Sequence, residues 1–454
     1  MKLNIYEIEV LGGDSMKVTF IRLAILDKNY DSFKPLVFPI INEITPKDIE
    51  VEFIDEQVEK LPDEINSEII AFSVETLTAK KAYILAKKFK KKNNVIVMGG
   101  FHPTVEPDEA LEFADVVLMG DAEDTWVNFL SDYRKGNYKN KYISTYNGKP
   151  TKIDYNFSYF KGKKYPSIGA VQFSRGCKFN CDFCSIKTMY KNGVLFKDVD
   201  TVIEEVKQIK EKLVFFVDDN LFVNEKVSLE LFRKMKKLNK LWGCQISMDI
   251  AQNDKMLQAM KDSGCVVVLI GFESINPDTL KRMNKGANMK LKDYDAVIKN
   301  IYRYGIMICA TFVFGYDLDT SETIRQTFDF AMKYHFTKVN FNMLVPMPGT
   351  RLYKRLEENK RLLMKKWWIN DKYVYGMPVY KPKLMQPEEL KKCCKSVWRE
   401  YYTIRNIMKR TIKNSKYINI YKSIGFFYES LITRKTLYAD TEQILGGILG
   451  KYDS

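Results

Sequence analysis

Short apolar runs alternating with amphipathic helical stretches, in two successive blocks, constrain this chain more than any other feature. In residues 1–135 the runs are Val18–Ile25, Val51–Asp55, Ile69–Val74, Val95–Met98 and Val116–Met119. Between the third and fourth, Ala79, Ala82, Leu85 and Ala86 recur at helical spacing. Runs of strand length separated by helices predict a parallel sheet covered by helices, a doubly wound α/β domain. Gly99, Gly100 and Gly120 directly follow strand ends, where such a sheet places its ligand crevice.

Residues 136–165 lose the pattern among Tyr, Asn, Lys and Gly and read as a linker. The second block, 166–355, has candidate strands Gly169–Ser174, Leu213–Asp218, Cys244–Met248, Cys265–Gly271, Met307–Phe314 and Val339–Leu344. Helical patterns fill the gaps, as in Asp200–Lys212, where Val202, Ile203, Val206 and Ile209 form one face. Six such units predict a partial (β/α)6 barrel with its chemistry at the C-terminal strand ends. From 356 to 454 the strands stop and the chain turns helical, aromatic and basic. Between Tyr401 and Lys435, Arg405, Lys409, Arg410, Lys413, Lys416, Lys422, Arg434 and Lys435 face one acid, Glu429. Ile404, Ile407, Met408, Ile412, Ile418, Ile420 and Tyr421 interleave with them, either as a face packed on the barrel or as a helix lying on a membrane surface.

A chain of 454 residues should hold two or three domains. It shows no leader-like N-terminal segment and no apolar run of the roughly 18 residues that span a bilayer, so a cytoplasmic protein is expected. Its formal charge of +15 suits an anionic partner, whether nucleic acid, phosphorylated substrate or membrane, although lysines such as Lys80, Lys81, Lys87 and Lys88 read as a solvated helix face. Eight cysteines are too sparse for a disulfide framework, and three of them crowd into Cys177-Lys-Phe-Asn-Cys181-Asp-Phe-Cys184. That spacing lets one loop wrap three corners of an iron–sulfur cube. A closed zinc site needs a fourth ligand, and the two histidines, His102 and His335, lie far off in sequence. Cys244, Cys265 and Cys309 sit within apolar strands as small hydrophobes.

The triplet, with Phe183 before its last cysteine, resembles the CxxxCxxC motif of the radical S-adenosylmethionine superfamily. The resemblance implies a 4Fe-4S cluster with one open iron that chelates S-adenosylmethionine and cleaves it to a 5′-deoxyadenosyl radical. It extends over 165–350: Asp218 and Asp219 end the second barrel strand, Ser247 and Asp249 the third, and Gly271, Glu273 and Ser274 the fourth. All of these, with Phe183, are candidate S-adenosylmethionine contacts. Phe314-Gly-Tyr-Asp317 and Pro346-Met-Pro-Gly-Thr350 end the last two strands.

Met98-Gly-Gly-Phe-His102-Pro-Thr104 and Val117-Leu-Met-Gly120-Asp-Ala-Glu123 resemble the cobalamin-binding domains fused to the bacteriochlorophyll-cyclase and phosphinate-methylase type of these enzymes, with Asp121 in place of the usual Glu. Ser73, Thr76, Gly99, Gly100, His102, Gly120 and Glu123 are then candidate cobalamin contacts. The Asp-x-His-x-x-Gly cobalt-ligand motif is absent, with Asp27-Lys-Asn-Tyr-Asp31 after the first strand, so the lower cobalt face has no assigned ligand and loss of cobalamin stays open. The implied function is C-methylation of an unactivated carbon on a small-molecule or lipid substrate, with an electron donor such as flavodoxin or ferredoxin. Radical cyclisation or carbon–carbon bond formation without methyl transfer is the alternative, and a non-catalytic iron–sulfur sensor or carrier a third. No base-reading or stacking motif supports a nucleic-acid partner. Trp367, Trp368, Tyr373, Tyr375 and Tyr380 are candidates to shape the substrate pocket or to fill a core.

Overall fold

A computed structural model describes residues 16–25, 33–155, 158–190, 193–222, 224–286, 294–418 and 420–439. The segment Asp27–Asp31, where a cobalt-ligand motif would stand, lies outside the described residues.

The first sheet comprises β1 (Lys17–Arg22), β2 (Glu50–Asp55), β3 (Ile69–Ser73), β4 (Val95–Gly99), β5 (Val116–Met119) and β6 (Lys141–Ile143), all parallel, in the order β2-β1-β3-β4-β5-β6. The order reverses between β1 and β3, which makes that point the ligand crevice of a doubly wound sheet. Period-two alternation divides its side chains between two cores. Val18, Phe20, Ile69, Ala71, Val95, Val97, Val116 and Leu118 pack with Phe38, Trp126 and Phe129 on one face. Ile21, Ile70, Phe72, Ile96, Met98 and Val117 face the other way, where they share a core with Tyr316, Leu344, Leu352, Trp367, Trp368 and Tyr380. The aromatic cluster of 367–380 is therefore largely core, packed between the first sheet and the second. β6 falls within the segment read as a linker; three residues are too few to show a period.

The second sheet is built from β7 (Ile168–Val171), β10 (Leu213–Phe216), β11 (Leu241–Ile246), β12 (Cys265–Glu273), β13 (Met307–Phe314) and β14 (Lys338–Met343), parallel and in sequential order. A separate antiparallel pair, β8 (Ser174–Arg175) with β9 (Leu195–Phe196), follows β7. Six parallel strands in chain order, with helices between them, form the expected partial barrel with open edges at β7 and β14.

An open edge leaves backbone groups unpaired. At β14 the helix Pro387–Tyr401 supplies partners from side chains. It presents Leu390, Cys394, Val397, Trp398 and Tyr401 on one buried face. The Trp398 indole donates to the Phe341 carbonyl at 2.6 Å, and the Tyr402 hydroxyl lies 3.2 Å from both the amide and the carbonyl of Val339. Replacing Trp398 by Ala should remove both a filled core position and an edge partner, at a cost of about 3–5 kcal/mol. A denaturation midpoint that shifts by much less would show that the edge does not depend on this helix.

Candidate active site

The cysteine loop leaves β8 and lies across the C-terminal ends of the barrel strands. Two aspartates at the end of β10 fix its start. Asp218 is buried and accepts from the amides of Phe173 and Ser174 and, at 2.6 Å, from the Ser174 hydroxyl. Burial pushes its carboxyl up to about 7 despite those bonds. Asp219 accepts the Gly176 amide at 2.8 Å. Gly176 has φ +88°, and a Cβ there would stand 2.3 Å from the Gly193 carbonyl, so the tight turn into Cys177 requires glycine.

Cys181 is buried, with Cys177 and Cys184 half-buried. Burial first, and then the neighbouring thiols, push Cys181 up to about 11; the Lys285 ammonium opposes them. The three sulfurs therefore lie close enough to feel one another's charge. Among the described residues no three His, Cys, Asp or Glu side chains converge on a single ion. Three thiols on one loop suit a cube, in which each sulfur binds a different iron, whereas a closed mononuclear zinc site needs a fourth ligand. Lys285 bonds to Glu273 at 2.8 Å, and its charge favours thiolates beside it.

A second set of contacts clamps the far side of the loop, and nothing in the sequence pattern announces it. Asp182 accepts from the Tyr316 hydroxyl and from Arg355 at 2.5 Å, while Arg355 also donates to Tyr316 at 2.8 Å. The amides of Asp182 and Leu352 bond to the carbonyls of Met283 and Asp182 at 3.0 Å. Asn284 and Arg351 both donate to the Asn180 carbonyl. The loop is thus held by β10 on one side and by the helix Arg351–Glu358 on the other. Phe183 packs into the core shared by the two sheets.

The remaining barrel candidates gather at the same end. Ser247 donates to Asp249 and accepts from Asn220 at 3.1 Å; Asp249 also pairs with Lys178 of the cysteine loop at 2.7 Å. Glu273 has φ +61°, strained for a non-glycine residue, and Ser274 follows it in a tight turn. A Cβ on Gly271 would lie 2.2 Å from the Glu273 carboxylate, so this glycine makes room for a neighbouring side chain of its own strand.

The first sheet turns its C-terminal edge toward this loop. Gly100 (φ +106°) and Gly120 (φ +90°) turn the chain there, and Thr104 ties them by accepting the Gly120 amide and donating to the Gly100 carbonyl at 2.7 Å. Gly99 pairs with Ser73 across β3 and β4, and both are half-buried at that edge. His102 and Thr76 are buried instead. The imidazole lies 3.4 Å from Thr76, 3.0 Å from Tyr83 and 3.2 Å from Glu109. Burial opposes the Glu109 charge, but bonds from His102, Trp368 and Lys366 outweigh it and hold the carboxyl down at about 2. With both ring nitrogens engaged, His102 serves packing between the first sheet and Trp368. Glu123 is also taken: with Asp121 it pairs to Arg175 of β8, at 2.8 and 2.9 Å, and it accepts from the Thr151 hydroxyl at 3.0 Å. Burial opposes the Arg175 charge, but Glu123 and Asp121 prevail and raise its pKa.

Beside this ion pair a cleft of about 430 Å³ opens between the two sheets. Gly120, Asp121, Ser144 and Tyr146 line one wall and Thr188, Met189, Tyr190 and Gly349 the other. Its volume falls in the range of small-molecule sites.

The Radical SAM superfamily model matches residues 171–331, the barrel and its cysteine loop. Bacteriochlorophyllide d C-12(1)-methyltransferase of Chlorobaculum tepidum is 32% identical over 390 residues, which cover 83% of this chain and 84% of that protein. The chain belongs to the radical SAM superfamily. Bacteriochlorophyllide d C-8(2)-methyltransferase of the same organism is 26% identical over 426 residues, 88% of this chain and 92% of that one. Two solved structures share the fold of this radical SAM enzyme. The radical S-adenosylmethionine methyltransferase TsrM of Kitasatospora setae superposes with a TM-score of 0.62 at 14% identity over 76% of each chain. The cobalamin-dependent S-adenosylmethionine radical enzyme OxsB does so at 0.62 and 14%, over 93% of this chain and 72% of the other.

Replacing Arg175 by Met should leave Asp121 and Glu123 buried without a cation, at a cost of about 3–5 kcal/mol. The triple variant Asp121→Asn/Glu123→Gln/Arg175→Met should recover most of that loss in the urea midpoint of the iron-free protein. Arg355→Met should loosen the loop instead, so that a reconstituted cluster loses iron to a chelator faster than in wild type. Equal rates would remove Arg355 from the support of the site.

Proposed function

We propose that this radical SAM enzyme methylates an unactivated carbon of a small-molecule substrate with the help of cobalamin. The observation that carries this reading is the cleft between the two sheets, lined by the ends of β5 and β6 on one side and by Thr188–Tyr190, which follow the cysteine loop, on the other. Cys177, Cys181 and Cys184 would hold the 4Fe-4S cluster. Three free thiols on one loop fit a cluster held by three cysteines. When bound, cluster and S-adenosylmethionine would supply a 5′-deoxyadenosyl radical, and cobalamin would supply a methyl carrier.

The chain's own residues position these groups. Asp218, Asp219 and Gly176 set the path of the loop, and Lys285 beside Cys181 and Cys184 favours their ionised form. Ser247, Asp249, Glu273 and Ser274 line the barrel mouth as polar contacts for S-adenosylmethionine. Ser73, Gly99, Gly100 and Gly120 form the edge against which cobalamin would rest; His102, Thr76 and Glu123 support that edge from within it. Among the described residues neither histidine faces the cleft: His102 is bonded inside the first domain, and His335 caps the helix Ser321–Tyr334. The relatives named as methyltransferases favour methyl transfer over cyclisation. Reducing electrons would come from a flavodoxin- or ferredoxin-like donor.

The test is S-adenosylmethionine cleavage by the anaerobically reconstituted protein with dithionite. Wild type should form 5′-deoxyadenosine, and Cys181→Ala should lose both the cluster absorbance and the cleavage. An intact cluster that forms no 5′-deoxyadenosine would make the protein a carrier or sensor instead.

A further inference from the structure

Two helices at the opposite end of the barrel from the cysteine loop carry an apolar surface that the proposed reaction does not use. Seven of the fifteen large apolar side chains exposed among the described residues fall between Ile404 and Ile432. Six of them form two rows at helical spacing, Ile404, Met408 and Ile412 on the helix Ile404–Asn414, and Ile424, Tyr428 and Ile432 on the helix Ile420–Ala439, each 45–63 % exposed. Residues four apart lie on one helix face, so each row is a continuous stripe.

The inward faces of these helices are already occupied. Ile407, Arg410 and Asn414 are buried; Arg410 donates to the carbonyls of Phe336, Thr337 and Tyr401, and Asn414 to that of His335. Among the described side chains of the second helix, Ser423, Ser430 and Thr433 are the buried ones. The stripes are therefore not a core face left loose. Arg405, Lys409, Lys413 and Lys416 are exposed beside the first stripe, and Lys435 is exposed on the second helix. The one acid of the region, Glu429, is paired with Lys338 at 3.0 Å. Burial, followed by Lys409, Lys413 and Arg410, holds the His335 imidazole below its ordinary value, a local sign of the positive field.

We propose that these two helices form a peripheral membrane-binding face that docks on an anionic lipid bilayer. Exposed aliphatic side chains flanked by lysine and arginine match a boundary where acyl chains lie beneath phosphate headgroups, and long basic side chains can bury their stems while their charges reach the phosphates. An acidic redox partner fits less well. Arg410 and Asn414 anchor the first helix at the residues that precede β14, whose six residues put this face about 20 Å, measured along the strand, from the C-terminal end of the barrel. Docked this way, the enzyme would keep its cleft turned away from the bilayer surface.

Sedimentation of the full chain with phosphatidylcholine vesicles, with and without phosphatidylglycerol, tests this. Wild type should bind the phosphatidylglycerol vesicles, weakly or not at all the neutral ones, and less as salt rises. Lys409→Glu/Lys413→Glu should weaken binding by at least about tenfold. Met408→Gln/Ile412→Gln should weaken it comparably, and both variants should keep wild-type 5′-deoxyadenosine formation without vesicles. Absence of wild-type binding, or binding that neither pair of substitutions reduces, would overturn the proposal. So would a wild-type dimer that the apolar substitutions dissociate, which would make a second copy the occupant. Vesicle binding that appears only after residues 440–454 are removed would assign the stripes to the chain's own tail and overturn it likewise. None of these outcomes depends on cobalamin or on methyl transfer.

Discussion

Arg175 sits two residues before the first cysteine, and its guanidinium is buried against Asp121 and Glu123, at the start of the helix that follows β5. Three charges taken out of water carry a desolvation penalty that only close pairing offsets, so this contact is weak as a source of stability and strong as a constraint on geometry. It can form only when the C-terminal edge of the first sheet and the start of the cysteine loop stand in one arrangement. The core shared by Phe72, Met98, Tyr316, Trp367 and Trp368 supplies the apolar burial that holds the two sheets together. The ion pair sets where the cleft opens between them.

The loop itself shows the same division of labour. Asp218 and Asp219 govern its entry, while Asp182, Tyr316 and Arg355 govern its exit. Each of these polar side chains is spent on backbone or on another charge near the loop, which leaves the thiols as groups with no structural duty. Lys285 and Glu273 then place a cation beside the two most enclosed thiols. These contacts set the path of the loop without help from a cofactor, and preorganisation of that kind lowers what binding must supply.

Much of this was legible in the sequence. Local patterns revealed the parallel strands, because period-two alternation and short apolar runs report burial directly, and the spacing of Cys177, Cys181 and Cys184 pointed to an iron–sulfur loop whose chemistry the family resemblance supplied. Contacts between distant segments were not legible. Arg175 with Asp121, and Asp182 with Arg355, join residues more than fifty positions apart, and a single sequence carries no sign of such pairs. Composition also misleads about role. His102 and Glu123 have the right chemistry for a cofactor edge, yet tertiary packing engages them in a buried network and an ion pair. Gly271, named from the sequence as a candidate S-adenosylmethionine contact, makes room for the Glu273 side chain. In the basic C-terminal region, Ile407 and Ile418 pack on the barrel, as one reading of that stripe expected, while Ile404, Met408 and Ile412 face solvent.

The central claim is that one cleft, framed by the segment that follows the cysteine loop and by the β5–β6 end of the first sheet, brings a cluster and cobalamin together. The most direct measurement is the amount of corrinoid that stays with the protein relative to its cluster, after purification with cobalamin supplied and anaerobic cluster reconstitution. The account predicts equal amounts of corrinoid and cluster on the same chain. A full complement of cluster with no retained corrinoid would contradict it.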